Sequence, residues 1–329
     1  MSVLEVELRP RFPVRLPRGS GGDGVMRVRE GVLERLLHVG PCPVRVRAWQ
    51  TRDAIRIRSE RIEPRLAIHF NDSVECRDAG EQELELAIER MRFALAIEDD
   101  MTEFFQTFKR DPLIGPVIHR YPWTRPRRRP WPWEALAWAI TEQLIESPRA
   151  GAIQRRIVRR WGPSITLATS SASPAGVRGR QRGPDKLFDV PSPELIAGRA
   201  PAGLVAMDLT EARALAMIRC AREVAAGRAE LSDPGSDRRL LAIREIGPWT
   251  VQCLGLYGRG EPDSLPAGDL AFVKLVGHLA GLGRRATVEE VEEFFAPYAP
   301  FRGLAGTFAL AGHHKAVAQG APLRLADAA

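Results

Sequence analysis

The sequence predicts an α+β protein in which an N-terminal antiparallel β-sheet with one helix is followed by an all-α region. In the first third, apolar and charged residues alternate with a period of two, which is typical of strands with one wet face. From residue 81 onward, apolar residues recur every three or four positions, which is typical of amphipathic helices. We therefore predict an N-terminal domain over 1–112 and a helical domain over 113–329.

The period-two segments are separated by Gly, Pro and Asp, as expected of strands joined by turns. Their apolar positions are Leu4, Val6, Leu8, Val44, Val46, Ile55, Ile57, Leu66, Ile68 and Phe70. Arginines occupy the alternate positions of two segments, and they could contact DNA, although we favour a solvated sheet face. The stripe of Leu84, Ile88, Met91 and Leu95 predicts a helix that closes this domain near Lys109.

Composition limits the classes of function. A net charge of +7 over 329 residues favours a polyanionic partner without identifying one. Cys42, Cys76, Cys220 and Cys253 form no C-x-x-C pair, so the sequence predicts neither a structural zinc site nor an iron–sulfur cluster. No segment approaches the roughly 20 apolar residues that span a bilayer. We expect a soluble cytoplasmic protein with buried, reduced thiols.

Two segments interrupt the regular patterns. Residues 121–133 read YPWTRPRRRPWPW, which could follow a DNA backbone but which we interpret as an extended connector, because its prolines interrupt helix and sheet. Residues 169–186 are polar and rich in Gly, so we predict a flexible inserted loop there.

The remainder of the second domain is predicted to be helical. Leu136, Ile140 and Leu144 start one stripe, and Ile153, Ile157 and Trp161 continue in a second segment. Ser192 followed by Pro193 predicts a helix start, with serine as the N-cap. Further helices are predicted at about 193–201, 208–228, 236–244, 249–258, 269–282, 287–297 and 302–319.

Residues 241–270 carry the most informative pattern. Two helical segments flank a tight Ile246-Gly247-Pro248 turn, and Asp269 follows a Pro-Ala-Gly loop. Such a turn leaves the first N–H groups of the second helix free for a phosphate, and Gly247 has no side chain to obstruct it. From the residues alone, an ordinary helical hairpin explains the turn equally well, and an N-cap role for Asp269 is favoured over a catalytic one.

This stretch resembles the helix-hairpin-helix DNA glycosylases, within them the 3-methyladenine DNA glycosylase II branch. The match is carried by the run from Ile246 to Thr250, by Asp263 and by the run from Pro266 to Leu270, with weaker similarity over most of the chain. The resemblance implies a DNA-backbone hairpin formed by Glu245, Ile246, Gly247, Pro248 and Thr250. It also implies that Asp269 stabilises the cation-like sugar formed when an N-glycosidic bond breaks.

The resemblance implies a monofunctional enzyme that excises alkylated or otherwise damaged purines from double-stranded DNA in base excision repair. Trp249 stands where strand-cutting relatives carry a lysine nucleophile, so no lyase activity is expected. We expect a monomer in the cytoplasm, associated with the nucleoid, that touches no membrane. No cofactor is expected beyond a monovalent cation that family hairpins can hold, and His313, His314 and the other histidines show no metal-ligand spacing.

Base flipping and base recognition bring further expectations from the resemblance. Gln143 and Leu144 stand at the position of the residues that fill the gap left by a flipped base, although Leu144 could instead continue the core stripe. Trp249, Cys253 and Phe301 stand at the walls of the base pocket.

Three positions depart from the family pattern. Glu245 replaces a hairpin glycine, and a position that needs a positive φ would strain it. Cys253 replaces a tyrosine and Phe301 a tryptophan, which weakens stacking on a cationic base and predicts an altered or narrower substrate range. A non-catalytic protein that recognises damaged or bent DNA on the same scaffold is the alternative function.

Overall fold

The computed structural model describes residues 2–40, 42–62, 67–68, 80–167 and 185–318. Within these ranges the strands are β1 (Val3–Leu8), β2 (Met26–Arg29), β3 (Val32–Val39), β4 (Cys42–Gln50), β5 (Ile55–Arg61), β6 (Ala67–Ile68), β7 (Ser164–Leu167) and β8 (Asp185–Phe188). The α-helices are α1 (Glu81–Ala94), α2 (Thr102–Phe108), α3 (Gly115–Arg120), α4 (Pro132–Glu142), α5 (Ser147–Trp161), α6 (Pro193–Ala197), α7 (Pro201–Val205), α8 (Glu211–Ala225), α9 (Asp237–Leu241), α10 (Pro248–Cys253), α11 (Leu270–Leu279), α12 (Val288–Phe295) and α13 (Arg302–Ala318).

The described chain divides into two compact units, each made of separate segments. The first comprises Met1–Arg9, Leu16–Met91 and Ile145–Thr210, and the second comprises Pro10–Arg15, Arg92–Leu144 and Glu211–Ala329. Each unit gathers segments that are close in space. The predicted boundary after residue 112 instead divides the chain into two continuous domains, and that boundary stays a prediction. Most of the predicted loop over 169–186 lies outside the described residues, as do Leu66 and Phe70.

The predicted N-terminal sheet is confirmed. Five antiparallel strands lie in the order β1-β5-β4-β3-β2. Val46 and Ile57 are fully buried on one face, as the period-two pattern requires. The stripe of α1 is buried as well, but the helix ends at Ala94, and the chain turns at Ala96 with a φ of 51° before α2 begins. The predicted helix up to Lys109 is therefore two helices.

The opposite face of this sheet carries rows of paired arginines and glutamates. Glu60 accepts hydrogen bonds from Arg45 Nη1 at 2.7 Å and from Arg47 Nη2 at 3.0 Å, and Glu34 pairs with Arg27 and Arg45. The side chains of Arg45 and Arg47 are only 21% and 28% exposed. A freely solvated face was therefore the wrong interpretation at these two positions, because cross-strand carboxylates cover the guanidinium groups.

A second, three-stranded sheet was not predicted. Its order is β6-β7-β8, and Ile165 pairs with Ala67 on one side and with Leu187 on the other. Below it, the buried Asp189 carboxylate accepts hydrogen bonds from the His38 backbone N–H and pairs with His38 Nδ1, both at 2.9 Å. These contacts join residues that are far apart in sequence, so no local pattern announces them.

The second unit is helical, as predicted. The predicted segments from 208 to 319 correspond to α8–α13, with a six-residue π-helix, Leu254–Arg259, continuing α10. The helix predicted at 193–201 lies in the first unit and is shorter, since α6 ends at Ala197 and α7 begins at Pro201. Ser192 caps α6 as expected, because its side chain accepts a hydrogen bond from the Leu195 N–H. A phenylalanine-rich cluster around Phe104 and Phe308 forms the core.

The segment over 121–133 behaves as a structural connector. Its Trp123 ring lies under the Arg15 guanidinium, with 3.2 Å between the guanidinium carbon and the ring centroid. Arg128 forms a bidentate pair with Asp99, and the Arg125 side chain is 6% exposed, with Nε 3.9 Å from the same carboxylate. Burial lowers the pKa of Arg125 to about 10. These two cations are used inside the protein rather than offered to a partner.

None of the helices in the described part of the chain is long and apolar enough to cross a membrane.

The connector yields a stability prediction. Asp99→Asn removes the carboxylate shared by two buried guanidinium groups, which should lower the free energy of unfolding by about 3 kcal/mol. Glu98→Gln is the matched control, because Glu98 is exposed, its partner Arg92 is partly exposed, and pairs near the surface contribute under about 1 kcal/mol. Chemical denaturation of both variants checks this, and equal losses would contradict it.

Candidate active site at the hairpin and the Asp269 cap

The predicted hairpin is present between α9 and α10. Gly247 is the N-cap of α10, with φ −110° and ψ 178°, and Pro248 occupies the first helical position. A Cβ built on Gly247 meets no atom within 4 Å, so the space in front of the helix start is open. The free N–H groups at this end therefore face a surface that another molecule can approach.

Glu245 adopts the left-handed conformation that the sequence would reserve for glycine. Its φ is 75°, a region that costs a residue with a Cβ about 1–2 kcal/mol. Its carboxylate lies 3.6 Å from Arg244 Nε, which balances part of the negative charge at the turn. The departure from the family pattern is thus accommodated by strain in the backbone and by a neighbouring cation.

Gln143 ties the end of α4 to this hairpin. Its Nε2 donates to the backbone carbonyl of Glu245 at 2.8 Å and to Thr250 Oγ1 at 3.0 Å. One amide group therefore fixes both sides of the turn, and Thr250 itself is buried.

Leu144 follows directly and points into solvent. It is 99% exposed and has a φ of 55°. The alternative in which Leu144 continues the core stripe of α4 is wrong, because the helix ends at Glu142 and the backbone turns away. A whole leucine held outside the core on a left-handed backbone is a costly arrangement that points to a function.

Asp269 is the N-cap of α11. Its Oδ1 accepts a hydrogen bond from the Ala271 N–H at 2.7 Å. The carboxylate is partly exposed, and within the described residues it forms no ion pair and Oδ2 accepts no hydrogen bond. The capping interpretation is therefore confirmed, while one carboxylate oxygen remains open for another partner.

Trp249 packs close to this cap. A Cβ built on Gly268 would lie 3.7 Å from both Cβ and Cδ1 of Trp249, an ordinary van der Waals distance, so the indole lies beside the loop before Asp269. The Trp249 Nε1 atom is buried and has no hydrogen-bond partner among the described residues.

Cys253 is 3% exposed, and its surroundings include two groups that the sequence did not single out. Burial raises the pKa of the Cys253 thiol well above its usual value, and the Glu142 and Asp269 carboxylates raise it further. Burial likewise raises the pKa of Tyr257, and Cys253, Asp269 and Glu142 are among the groups that add to this shift. Two sequence signals could have identified Glu142 and Tyr257. Glu142 directly precedes Gln143, and Tyr257 lies four residues after Cys253.

Phe301 packs in the aromatic core. Its ring centroid lies 5.6 Å from that of Phe104 and 6.4 Å from that of Phe108. Its role as a pocket wall stays a prediction. The neighbouring Arg302 anchors the start of α13, because its N–H and Nε donate to Asp263 Oδ1 at 3.0 and 2.9 Å.

Over the ranges that the structure describes, no group of three or more His, Cys, Asp or Glu could hold a metal ion. The ring centroids of His278 and His313 lie 5.5 Å apart, and those of His313 and His314 lie 6.3 Å apart. Burial and the two neighbouring imidazoles lower the pKa of His313.

Curated proteins of related sequence are named as DNA repair enzymes. The chain is 24% identical over 215 residues to a DNA-3-methyladenine glycosylase of Bacillus subtilis, which covers 64% of this chain and 66% of the relative. It is 24% identical over 196 residues to a probable bifunctional transcriptional activator/DNA repair enzyme AlkA of Mycobacterium tuberculosis, which covers 58% of this chain and 36% of the relative. The chain thus spans less than two thirds of the length of either relative. No family model matches.

Solved structures show the same fold over nearly the whole chain. A 3-methyladenine DNA glycosylase from Archaeoglobus fulgidus has a TM-score of 0.73 and 18% identity, with coverage of 94% of this chain and 98% of that chain. An 8-oxoguanine glycosylase/lyase from Clostridium acetobutylicum has a TM-score of 0.65 and 14% identity, with coverage of 93% and 95%. The chain is therefore similar in sequence to a curated DNA-3-methyladenine glycosylase, and it shares the fold of solved DNA glycosylases.

Proposed function

We propose that the chain is a monofunctional DNA glycosylase that acts in base excision repair. It flips a damaged purine, alkylated in the first instance, out of double-stranded DNA and hydrolyses the N-glycosidic bond. The observation that carries the proposal is Leu144, which is 99% exposed on a left-handed backbone beside the hairpin. A flipped nucleotide leaves a gap in the base stack, and an apolar wedge fills it.

The Gln143 amide supports this assignment of Leu144. Because Nε2 bonds to the hairpin at Glu245 and Thr250, the wedge and the backbone-binding turn are held in a fixed relation. The hairpin N–H groups bind a phosphate while Leu144 enters the duplex.

Asp269 supplies the chemistry. As the C1′–N bond breaks, positive charge develops on the sugar, and a fixed carboxylate stabilises it. Oδ1 is held by the Ala271 N–H, so Oδ2 is the oxygen that faces the sugar or the attacking water. Water completes the reaction, because Trp249 has no amine that could form a Schiff base with the sugar. The products are a free purine and an abasic site.

Substrate choice follows from the pocket residues. Trp249 offers an indole face, which attracts a cationic alkylated purine by about 0.5–2 kcal/mol. Cys253 in place of an aromatic residue removes one stacking surface, so we expect a narrower range of alkylated purines than a fully aromatic pocket accepts.

Asp269→Asn tests the enzymatic proposal. Asparagine caps a helix as well as aspartate does, so the fold and DNA binding should persist. Base release should fall by at least about 100-fold, because the charge on the sugar is no longer stabilised. Single-turnover release of 3-methyladenine and 7-methylguanine, with strand breaks scored before and after alkali, measures this.

The same experiment separates the two functions. The wild-type protein could bind an abasic-analogue duplex and yet release no damaged purine from DNA. That result would favour the non-catalytic DNA-binding alternative. Equal turnover by wild type and Asp269→Asn would show that the carboxylate has another role.

Leu144→Ala tests the wedge. The side chain is exposed, so the free energy of unfolding should not change. Release from duplex DNA should fall by about tenfold or more, because the cost of unstacking is no longer offset. Release from single-stranded DNA should be unaffected, and Leu282→Ala, another exposed leucine, is the matched control. Equal loss on both DNA forms would contradict a wedge role.

Glu245→Gly tests the cost of the hairpin departure. Glycine relieves the left-handed strain, so the free energy of unfolding should rise by up to about 1 kcal/mol. Removal of the carboxylate should also strengthen DNA binding. Glu245→Gln separates the two effects, since it removes only the charge. Arg244→Gly at the preceding exposed position should destabilise the protein, and stabilisation there would refute the strain argument.

A further inference from the structure

The turn between α11 and α12 is built on two glycines. Gly281 and Gly283 have φ values of 64° and 68°, a left-handed backbone that suits residues without a Cβ. The Leu282 N–H donates to the Gly277 carbonyl at 3.0 Å and closes the end of α11. A Cβ built on either turn glycine meets no atom within 4 Å, so another molecule can approach this backbone closely.

Beyond this turn the chain runs back along α11. Residues 284–288 form a return segment, which begins where a Cβ on Gly277 would overlap the Arg284 carbonyl oxygen. Only a residue without a side chain allows that approach. The Ala286 N–H then donates at 2.9 Å to the carbonyl of Val273, one turn closer to the start of α11. The return segment is therefore fixed against α11 at two levels.

The return segment ends beside the candidate active site. Val288 Cγ2 lies 3.8 Å from a Cβ built on Gly268, and the same Cβ lies 3.7 Å from Trp249. Gly268 directly precedes Asp269, the N-cap of α11. Gly277 follows Asp269 by eight residues, which is about 12 Å at the helical rise per residue. The return segment thus covers the distance from the far end of α11 to the loop that carries the carboxylate.

This region contains both held and available cations. Arg284 is bound by Glu290, through Nη1 at 2.8 Å and Nη2 at 2.6 Å, and that glutamate belongs to the capping box of α12. Arg285 is exposed, and its guanidinium has no carboxylate partner among the described residues. Lys274, which follows Val273 on α11, is likewise exposed and unpaired in the described part of the chain. Lys274 and Arg285 are thus available to an anionic partner.

Backbone donors are available at the same place. The N–H groups of Gly283, Arg284 and Arg285 donate to no other described residue. Successive free N–H groups in a turn are a common way to bind an anion, and with an arginine they suit a phosphate. A polyanion is kept off α12 itself by three exposed glutamates, namely Glu289, Glu292 and Glu293.

We propose that Lys274, Arg285 and the free N–H groups of residues 283–285 form a second DNA-backbone contact, in addition to the hairpin. The inference rests on the DNA binding that the proposed function includes. Phosphates of one strand are spaced by about 3.4 Å along the duplex axis, so the roughly 12 Å beyond Asp269 corresponds to three or four nucleotides next to the flipped one. The Glu245 carboxylate disfavours a phosphate at the hairpin, so a second contact compensates for a weakened first one.

The salt dependence of DNA binding tests the proposal. The full chain is titrated with a fluorescent abasic-analogue duplex over a series of KCl concentrations. Each cation that binds a phosphate contributes about 0.9 to the magnitude of the slope of log affinity against log salt concentration. Arg285→Gln and Lys274→Gln should each lower that magnitude by about 0.9, which corresponds to an affinity about eightfold weaker at about 0.1 M salt. Both side chains are exposed, so the free energy of unfolding should not change.

Two controls locate the effect. Lys109→Gln makes the same change of charge at another exposed lysine, at the end of α2, and it should leave the slope unchanged. Duplexes with a single uncharged methylphosphonate then identify the phosphate that Arg285 binds. At that phosphate, within about four nucleotides of the lesion, the losses caused by Arg285→Gln and by the uncharged linkage should not add, because each removes the same contact. At other phosphates the two losses should add.

The outcomes separate the second contact from the enzymatic function. An unchanged slope in Arg285→Gln or Lys274→Gln, an equal fall in Lys109→Gln, or additive losses at every phosphate would overturn the second contact. Wild-type protein that binds with the expected slopes but releases no damaged purine would retain the second contact and overturn the proposed function. Release of damaged purines with slopes that neither variant alters would do the reverse, and a protein that binds no DNA would overturn both.

Discussion

The candidate site depends on one side-chain amide. Gln143 Nε2 donates to the Glu245 carbonyl and to Thr250 Oγ1, and through these two bonds the end of α4 is fastened to the turn between α9 and α10. The exposed Leu144 follows Gln143 directly, so the same two bonds set where it stands. The arrangement explains how a short turn that carries a strained glutamate can still serve as a fixed reference for its surroundings.

Roles that are set within a few residues could be predicted from the sequence. The Asp269 cap and the Ser192 cap follow from their places before apolar helical runs, and both are present. The left-handed backbone at Glu245 was anticipated because glycine is expected there. In these cases the hydrogen bond or the backbone angle is decided by neighbours in the chain.

Features that depend on tertiary contact could not be predicted. Strands β6 and β7 pair although helices α1 to α5 lie between them in the sequence, and no local pattern encodes this pairing. Leu144 lies on the same periodic stripe as Leu136, so only the end of α4 at Glu142 reveals its exposure. The contribution of Asp269 to the raised pKa of Tyr257 likewise depends on how the chain between them folds.

The Arg–Glu ladder of the N-terminal sheet changes how the charge of the protein should be understood. Arg27, Arg45 and Arg47 are held by Glu34 and Glu60, and the connector uses further arginines internally. A bound polyanion releases counterions only where free cations meet its phosphates, so the ionic-strength dependence of binding scales with those cations. A protein rich in basic residues can therefore bind a polyanion with an affinity that depends only modestly on salt concentration.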